Sequence, residues 1–256
     1  WDYTDYAIIP DLIFDNYIYI FEGCLSSEGG LCLTFKTYLS TFFFCFFTWL
    51  ITLVLGFCVA YFLAFYVNSI PLQVCLFLVC TIPFWTSNVI RMVSWIPLLG
   101  RNGLVNEFFL SLGIIDQPIE WLLYSSFSVI LALVHLYTLF MIVPIFNSMI
   151  RIDRSIVEAA YDAGASHLQI IFTIIIPLSK TGIIIGSIFV VTVVMGDFLT
   201  IGIMGGQQLA SVGKIINTEM NYLQFPGAAA NAVILLIITI FIIYVMTKFI
   251  DIRKEL

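Results

Sequence analysis

Asp197 stands deeper in an apolar run than any other acid of this chain, within VVMGDFLTIG. A carboxylate in lipid costs at least about 2.5–3.5 kcal/mol, so it is expected to face a cavity or a polar group of a partner, unless it lies shallower than its place in the run suggests. Bond chemistry finds no support around it. An intramembrane aspartyl protease needs Gly-x-Gly-Asp and a second aspartate in another span. Val194 occupies the first glycine position, and no second such aspartate occurs. The HExxH of zinc proteases and the GxSxG of serine hydrolases are absent. The nearest approach to a phosphate-binding loop ends in Gly213-Lys214, with Gln208 where glycine is required and Ile215 in place of Ser/Thr. No Cys/His cluster has metal-ligand spacing. The chain is not read as an enzyme.

The other polar concentration is an island at 151–180, RIDRSIVEAAYDAGASHLQIIFTIIIPLSK. Ser155 is followed three residues on by Glu158, and Ser166 by Gln169, each at capping-box spacing. Gly164 falls between them, where a helix end favours a residue tolerant of positive φ. Pro177 cannot continue a helix undisturbed. The expectation is a short helix over 155–163, a glycine turn, a second helix and a stop. The first helix is mostly small on its apolar side (Ile156, Val157, Ala159, Ala160, Ala163), which suits docking into a groove on a partner. The alternative is a surface loop with two helical turns and no partner.

Glu158-Ala159-Ala160, Gly164, Ile174 and Ile176-Pro177 together resemble the EAA loop of ABC importer permeases. The isoleucine before Pro177 replaces the usual leucine. IPFWTSNVIR (82–91), NEFFLSLGIID (106–116) and MGG (204–206) resemble the B-type permeases of spermidine/putrescine importers. The resemblance implies an all-α, polytopic helix bundle of the type I importer kind. Its coupling helix would dock an ATPase through Glu158, Ala159, Ala160, Gly164 and Pro177. It further implies a second permease subunit, an ATPase dimer that binds ATP and magnesium, and an extracytoplasmic polyamine-binding protein. No cofactor belongs to the chain itself.

A polyamine path needs carboxylates and aromatic faces for cation–π contact, and the outward-side candidates are Trp85, Asp197, Glu219 and Tyr222. Trp85 also reads as an interfacial or packing aromatic, and Glu219 and Tyr222 as loop residues. Arg91 either snorkels to the interface or closes a salt bridge across the permease pair. His135 reads as a helix-packing residue and His167 as a loop residue with no special role. Gly182-xxx-Gly186 permits close helix approach, with the second permease as one candidate neighbour. An ABC permease for another solute and a nucleotide-independent channel or facilitator remain alternatives.

The elements that must position these residues are membrane spans. The chain has 256 residues, 61% hydrophobic and 10% charged, against about 25% charged in soluble domains. The net charge of −6 speaks against nucleic acid. Five apolar runs, at 39–66, 72–95, 127–149, 182–203 and 229–250, are each long enough to cross a bilayer. If 151–180 is cytoplasmic, six bases lie on that side and four on the other, the asymmetry expected of an inner face.

The expected division is an extracytoplasmic segment at 1–36, a permease domain at 37–250 and a cytoplasmic tail at 251–256, in a bacterial cytoplasmic membrane. An interfacial helix is expected near 12–21. Importer permeases of the resembled kind have six spans, so a further span is expected upstream of this chain. Of six cysteines, Cys24 and Cys32 lie in the polar CLSSEGGLC, where an oxidising space would let them form a disulfide.

Overall fold

In lipid every backbone N–H and C=O must be satisfied within the segment, which leaves helices as the economical solution for apolar runs of this length. The computed structural model describes residues 14–21, 32–206 and 208–248, and among them it contains helices and no strand. In chain order these are α1 Asp15–Phe21, α2 Leu33–Tyr61 and, after a π-helical turn at Phe62–Tyr66, α3 Ile70–Thr81. A 3₁₀ turn at Ile82–Trp85 leads to α4 Asn88–Leu99, followed by α5 Leu104–Ser111 and α6 Ser126–Met149. Then come α7 Arg154–Asp162 and α8 His167–Ile170, with a π-helical turn at Ile171–Ile175 leading into α9 Ile176–Leu178. The chain ends with α10 Lys180–Gly196, α11 Leu199–Met204, α12 Val212–Asn221 and α13 Phe225–Thr247. Within the region expected to be interfacial the structure forms α1, seven residues long.

Among the described residues three helices are uninterrupted candidates for crossing a membrane: Thr34–Tyr66, Ser126–Met149 and Phe225–Thr247. Two more arise only if bent pairs count as single spans. Ile70–Trp85 and Asn88–Ser111 meet at 88°, and His167–Leu178 and Lys180–Gly196 at 70°. The second expected span is therefore broken at Thr86–Ser87, where the N–H and hydroxyl of Thr86 both turn back to the carbonyl of Pro83 (3.4 and 2.8 Å). The fourth expected span ends at Gly196 instead of continuing to 203.

Contacts divide the chain into two compact units. The first comprises Trp1–Cys45, Trp95–Ile130 and Val194–Ile242. In it the hydroxyl of Thr41 accepts the N–H of Val212 (3.0 Å), and that of Ser128 donates to the carbonyl of Met204 (3.0 Å). The fully buried Asn106 ties its loop together: its amide donates to the carbonyls of Gly100 and Ile119, and its oxygen accepts the N–H of Ile119.

The second unit comprises Phe46–Ser94, Leu131–Val193 and Ile243–Leu256. Its core is built on close approach. Met141 of α6 is fully buried, and ideal Cβ atoms on Gly56 of α2 and Gly186 of α10 would fall 2.7 and 2.8 Å from its side chain. A Cβ on Gly182 would lie 2.4 Å from the carbonyl oxygen of Pro144 and 3.0 Å from the Cα of Ile145. The Gly182-xxx-Gly186 pattern is thus spent on α6 of the same chain. On another side of α6, Phe77 stacks on Phe146 (5.1 Å) and Phe84 meets Phe140 edge-on (5.5 Å). The α3 arm therefore runs antiparallel to α6 and reaches its break beside the middle of that span.

Candidate functional site

The polar island folds as the helix–turn–helix its spacing predicts, with one change of cap. The N-cap of α7 is Asp153, whose carboxylate accepts the N–H of Ser155 (3.0 Å). Ser155 lies inside the helix, so the Ser155–Glu158 box does not form. Asp153 wins because a carboxylate both accepts the orphan amide and sits well at the positive end of the helix dipole. At the other end Gly164 adopts φ +85°, and the N–H of Ala165 closes back on the carbonyl of Ala160 (3.0 Å). This is the glycine-dependent termination of a Schellman motif. Ser166 and Gln169 do form the second capping box. The helical run then continues one residue past Pro177 and breaks at Ser179. The wide turn before it routes the N–H of Ile176 to the carbonyl of Ile171.

Asp153 carries a pH prediction. The amide of Ser155, followed by its hydroxyl, holds this carboxyl below its usual value. A depressed folded-state pKa means the contribution is complete above the unfolded value of about 3.9 and is lost as pH falls through the folded one. Protection of the α7 amides, taken as their exchange rate relative to that of the free peptide at the same pH, should be greatest at neutral pH and fall in acid. Asp153→Asn should remove most of that acid dependence, and Asp153→Ala should fray the helix at every pH. Unchanged exchange in the alanine variant would contradict the capping assignment.

No residue of α7 is buried. Glu158, Ala159, Gly164 and Pro177 are exposed and Ala160 is half-buried. Ile156 and Leu168 are 45% and 66% exposed, so apolar surface remains free. A helix of nine residues, about 14 Å long, is marginal in water on its own. Two anchors hold it. Arg154 donates to the side chain of Asn68 (2.6 Å) and the carbonyl of Ala64 (3.2 Å). His167 sits between two tyrosines, its Nδ1 2.6 Å from the Tyr161 hydroxyl and its Nε2 3.2 Å from that of Tyr61. Both anchors end at the close of the first span, Tyr61 and Ala64 in its last turns and Asn68 in the connector just after them. Asp153, Arg154 and His167 escaped the sequence reading. The N-cap chemistry of Asp153 was the one local signal, whereas the partners Tyr61 and Asn68 lie far off in sequence.

The four path candidates divide between the units. Trp85 is 84% exposed at the break between α3 and α4. Asp197 lies at the α10–α11 break and is half-buried, not deep in a continuous helix. It accepts the N–H and hydroxyl of Thr200 (2.8 and 2.6 Å), in the first turn of α11. Glu219 of α12 accepts the amide of the buried Asn231 on both oxygens (3.2 and 3.1 Å). Tyr222, 75% exposed, follows the last residue of the same helix. Trp85 belongs to the second unit and the other three to the first. Cys32 is disulfide-bonded, and the expected partner Cys24 lies outside the described residues.

Among the described residues, an all-helical bundle with long apolar helices, a broken span and an exposed, anchored polar elbow has the architecture of a polytopic membrane protein. The chain belongs to the family of binding-protein-dependent transport system inner membrane components, whose model matches residues 32–255. It is 38% identical over 188 residues to the spermidine/putrescine transport system permease protein PotB of Escherichia coli (strain K12), covering 73% of this chain and 67% of that protein. It is 34% identical over 185 residues to PotB of Haemophilus influenzae, covering 71% and 64%. The chain thus spans about two thirds of the length of these relatives. In fold it resembles a chain of a crystallised bacterial alginate ABC transporter, with a TM-score of 0.75 at 15% identity, covering 93% of this chain and 82% of that one.

Proposed function

We propose that this chain is one permease subunit of an ATP-driven polyamine importer in a bacterial cytoplasmic membrane, and that it grips an ATPase through α7. The observation that carries the coupling role is the exposed, twice-anchored α7, which has free apolar surface and a rigid attachment to the first span. The substrate assignment draws on the spermidine/putrescine names of the relatives. The excess of bases on the elbow's side supports a cytoplasmic elbow and C-terminus.

In this reading a second permease completes the path, and an external binding protein delivers the polyamine. ATP and magnesium are held by the partner ATPase dimer, and its closure pushes α7. The elbow passes the motion to the spans, which open the path outward, and hydrolysis resets it. The permease makes and breaks no covalent bond. Trp85, at a break near mid-span, offers an aromatic face for an ammonium group, while Asp197, Glu219 and Tyr222 supply acceptors in the other unit. A disulfide between Cys24 and Cys32 would lie on the outer side.

The test is uptake of labelled spermidine, putrescine and a neutral solute by the complex reconstituted with the second permease, ATPase and binding protein. ATP-dependent accumulation of a polyamine well above the neutral solute is expected, with Asp197→Asn lowering it about tenfold, the scale of a charged hydrogen-bond acceptor. Equal uptake of the neutral solute would overturn the substrate class, and uptake without ATP would favour a channel or facilitator. Undiminished transport by Asp197→Asn would remove Asp197 from the path and leave the permease assignment standing.

A further inference from the structure

Arg91 is a cation without an anion. Its side chain is 9% exposed, its Nε–H is buried with no hydrogen-bond partner, and one of its five donors goes to the side-chain oxygen of Asn88. Among the described residues no carboxylate pairs with it; the ion pair found is Arg101–Glu120, on the surface. Snorkelling does not account for it. The contact of Phe84 with Phe140 sets the neighbouring break beside the middle of α6, and Arg91 stands in the first turn of α4, just past that break.

A second, independent feature stands at the same level. His135 is exposed on the flank of α6 in the middle part of that helix, which has no acid anywhere along it. A buried arginine of α4 and an exposed histidine of α6 therefore both stand in the middle part of an apolar layer. Unpaired buried charge is strongly unfavourable, and ionisable groups at this depth pair with one another or face a cavity or a neighbouring helix. Lipid phosphates lie at the edges of a hydrocarbon layer about 30 Å thick and cannot reach the centre. A carboxylate on a neighbouring transmembrane helix can, and arginine's planar fork is the side chain best matched to receive it.

We propose that Arg91, held by Asn88, receives an aspartate or glutamate side chain from the second permease subunit at mid-span, and that this ion pair fixes how the two permeases align. The inference rests on the importer reading, which supplies the second permease.

The experiment captures the second permease and the ATPase from membranes with a tag on this chain. Arg91→Met removes the charge and keeps the apolar stem; Arg91→Glu reverses it. Capture of the second permease should fall at least about tenfold with Arg91→Glu and less with Arg91→Met, in line with breaking one side of a buried pair. Capture of the ATPase through α7 should persist in both and report that the subunit is folded. Each intramembrane acid of the second permease is then changed to arginine beside Arg91→Glu, and one such exchange should restore capture. Wild-type capture of the second permease by both Arg91 variants, or no restoration by any exchange, would overturn the proposal. Failure of the unaltered chain to capture a second permease would instead overturn the reading beneath it.

Discussion

Gly164→Pro is expected to reduce ATP-driven uptake about a hundredfold while leaving the subunit inserted in the membrane. Gly164 holds φ +85° and donates its N–H to the carbonyl of Tyr161 at 2.9 Å. Proline fixes φ near −65° and has no N–H, a loss of about 3 kcal/mol or more, which is roughly two decades in an equilibrium. The damage falls on a marginal helix. Once the turn opens, Tyr161 no longer faces His167, and α7 keeps only its Arg154 anchor. Gly164→Ala should do less, because alanine keeps the N–H and meets only the left-handed penalty of about 1–2 kcal/mol. Uptake and ATPase capture, measured side by side for both variants, check the ordering. Wild-type transport by the proline variant would show that the shape of this turn is irrelevant to coupling.

A different loss is expected from Gly182→Ala: the subunit itself should become unstable, with its folded yield falling about tenfold or more. The added Cβ would meet the carbonyl oxygen of Pro144 at 2.4 Å, the Cβ of Ser148 at 2.7 Å and the Cα of Ile145 at 3.0 Å. Two of these belong to backbone, so α6 and α10 must separate, at the upper end of the 1–3 kcal/mol typical of overpacking. Gly186→Ala should be milder, since its nearest obstacle is the sulfur of Met141 at 2.8 Å, the far end of a flexible side chain. Detergent-solubilised yield and Tm distinguish the two. Were this glycine pair instead a contact with the second permease, Gly182→Ala would lose that partner and keep its own stability.

Much of this architecture is legible in the residues, for physical reasons. Apolar runs of twenty or more residues have one outcome in a bilayer, so the regions of the spans are readable. The elbow is readable because Gly164 and the Ser166–Gln169 pair act over three or four residues. The break at Thr86–Ser87 is not, because Pro83 inside an apolar run is compatible with a kinked helix as well as a broken one, and packing of Phe84 on Phe140 helps set the outcome. At α7 two capping patterns overlap by two residues, and spacing alone favours Ser155 over Asp153. The surroundings of Asp197 depend on Thr200, whose N–H and hydroxyl make a helix start out of what reads as the middle of a run. His167 could not be assigned from its neighbours, since half of its role lies with Tyr61, 106 positions away.

Arg154 reaches the carbonyl of Ala64 inside the π-helical turn that closes the first span, while the other end of the elbow runs through α8 and α9 directly into α10. On the importer proposal, a stroke delivered at the elbow would be split between two transmembrane rods, one tethered through a guanidinium and one through continuous backbone. Such a linkage converts a push at a single point into a coordinated tilt, with Met141 wedged between the two rods as the pivot.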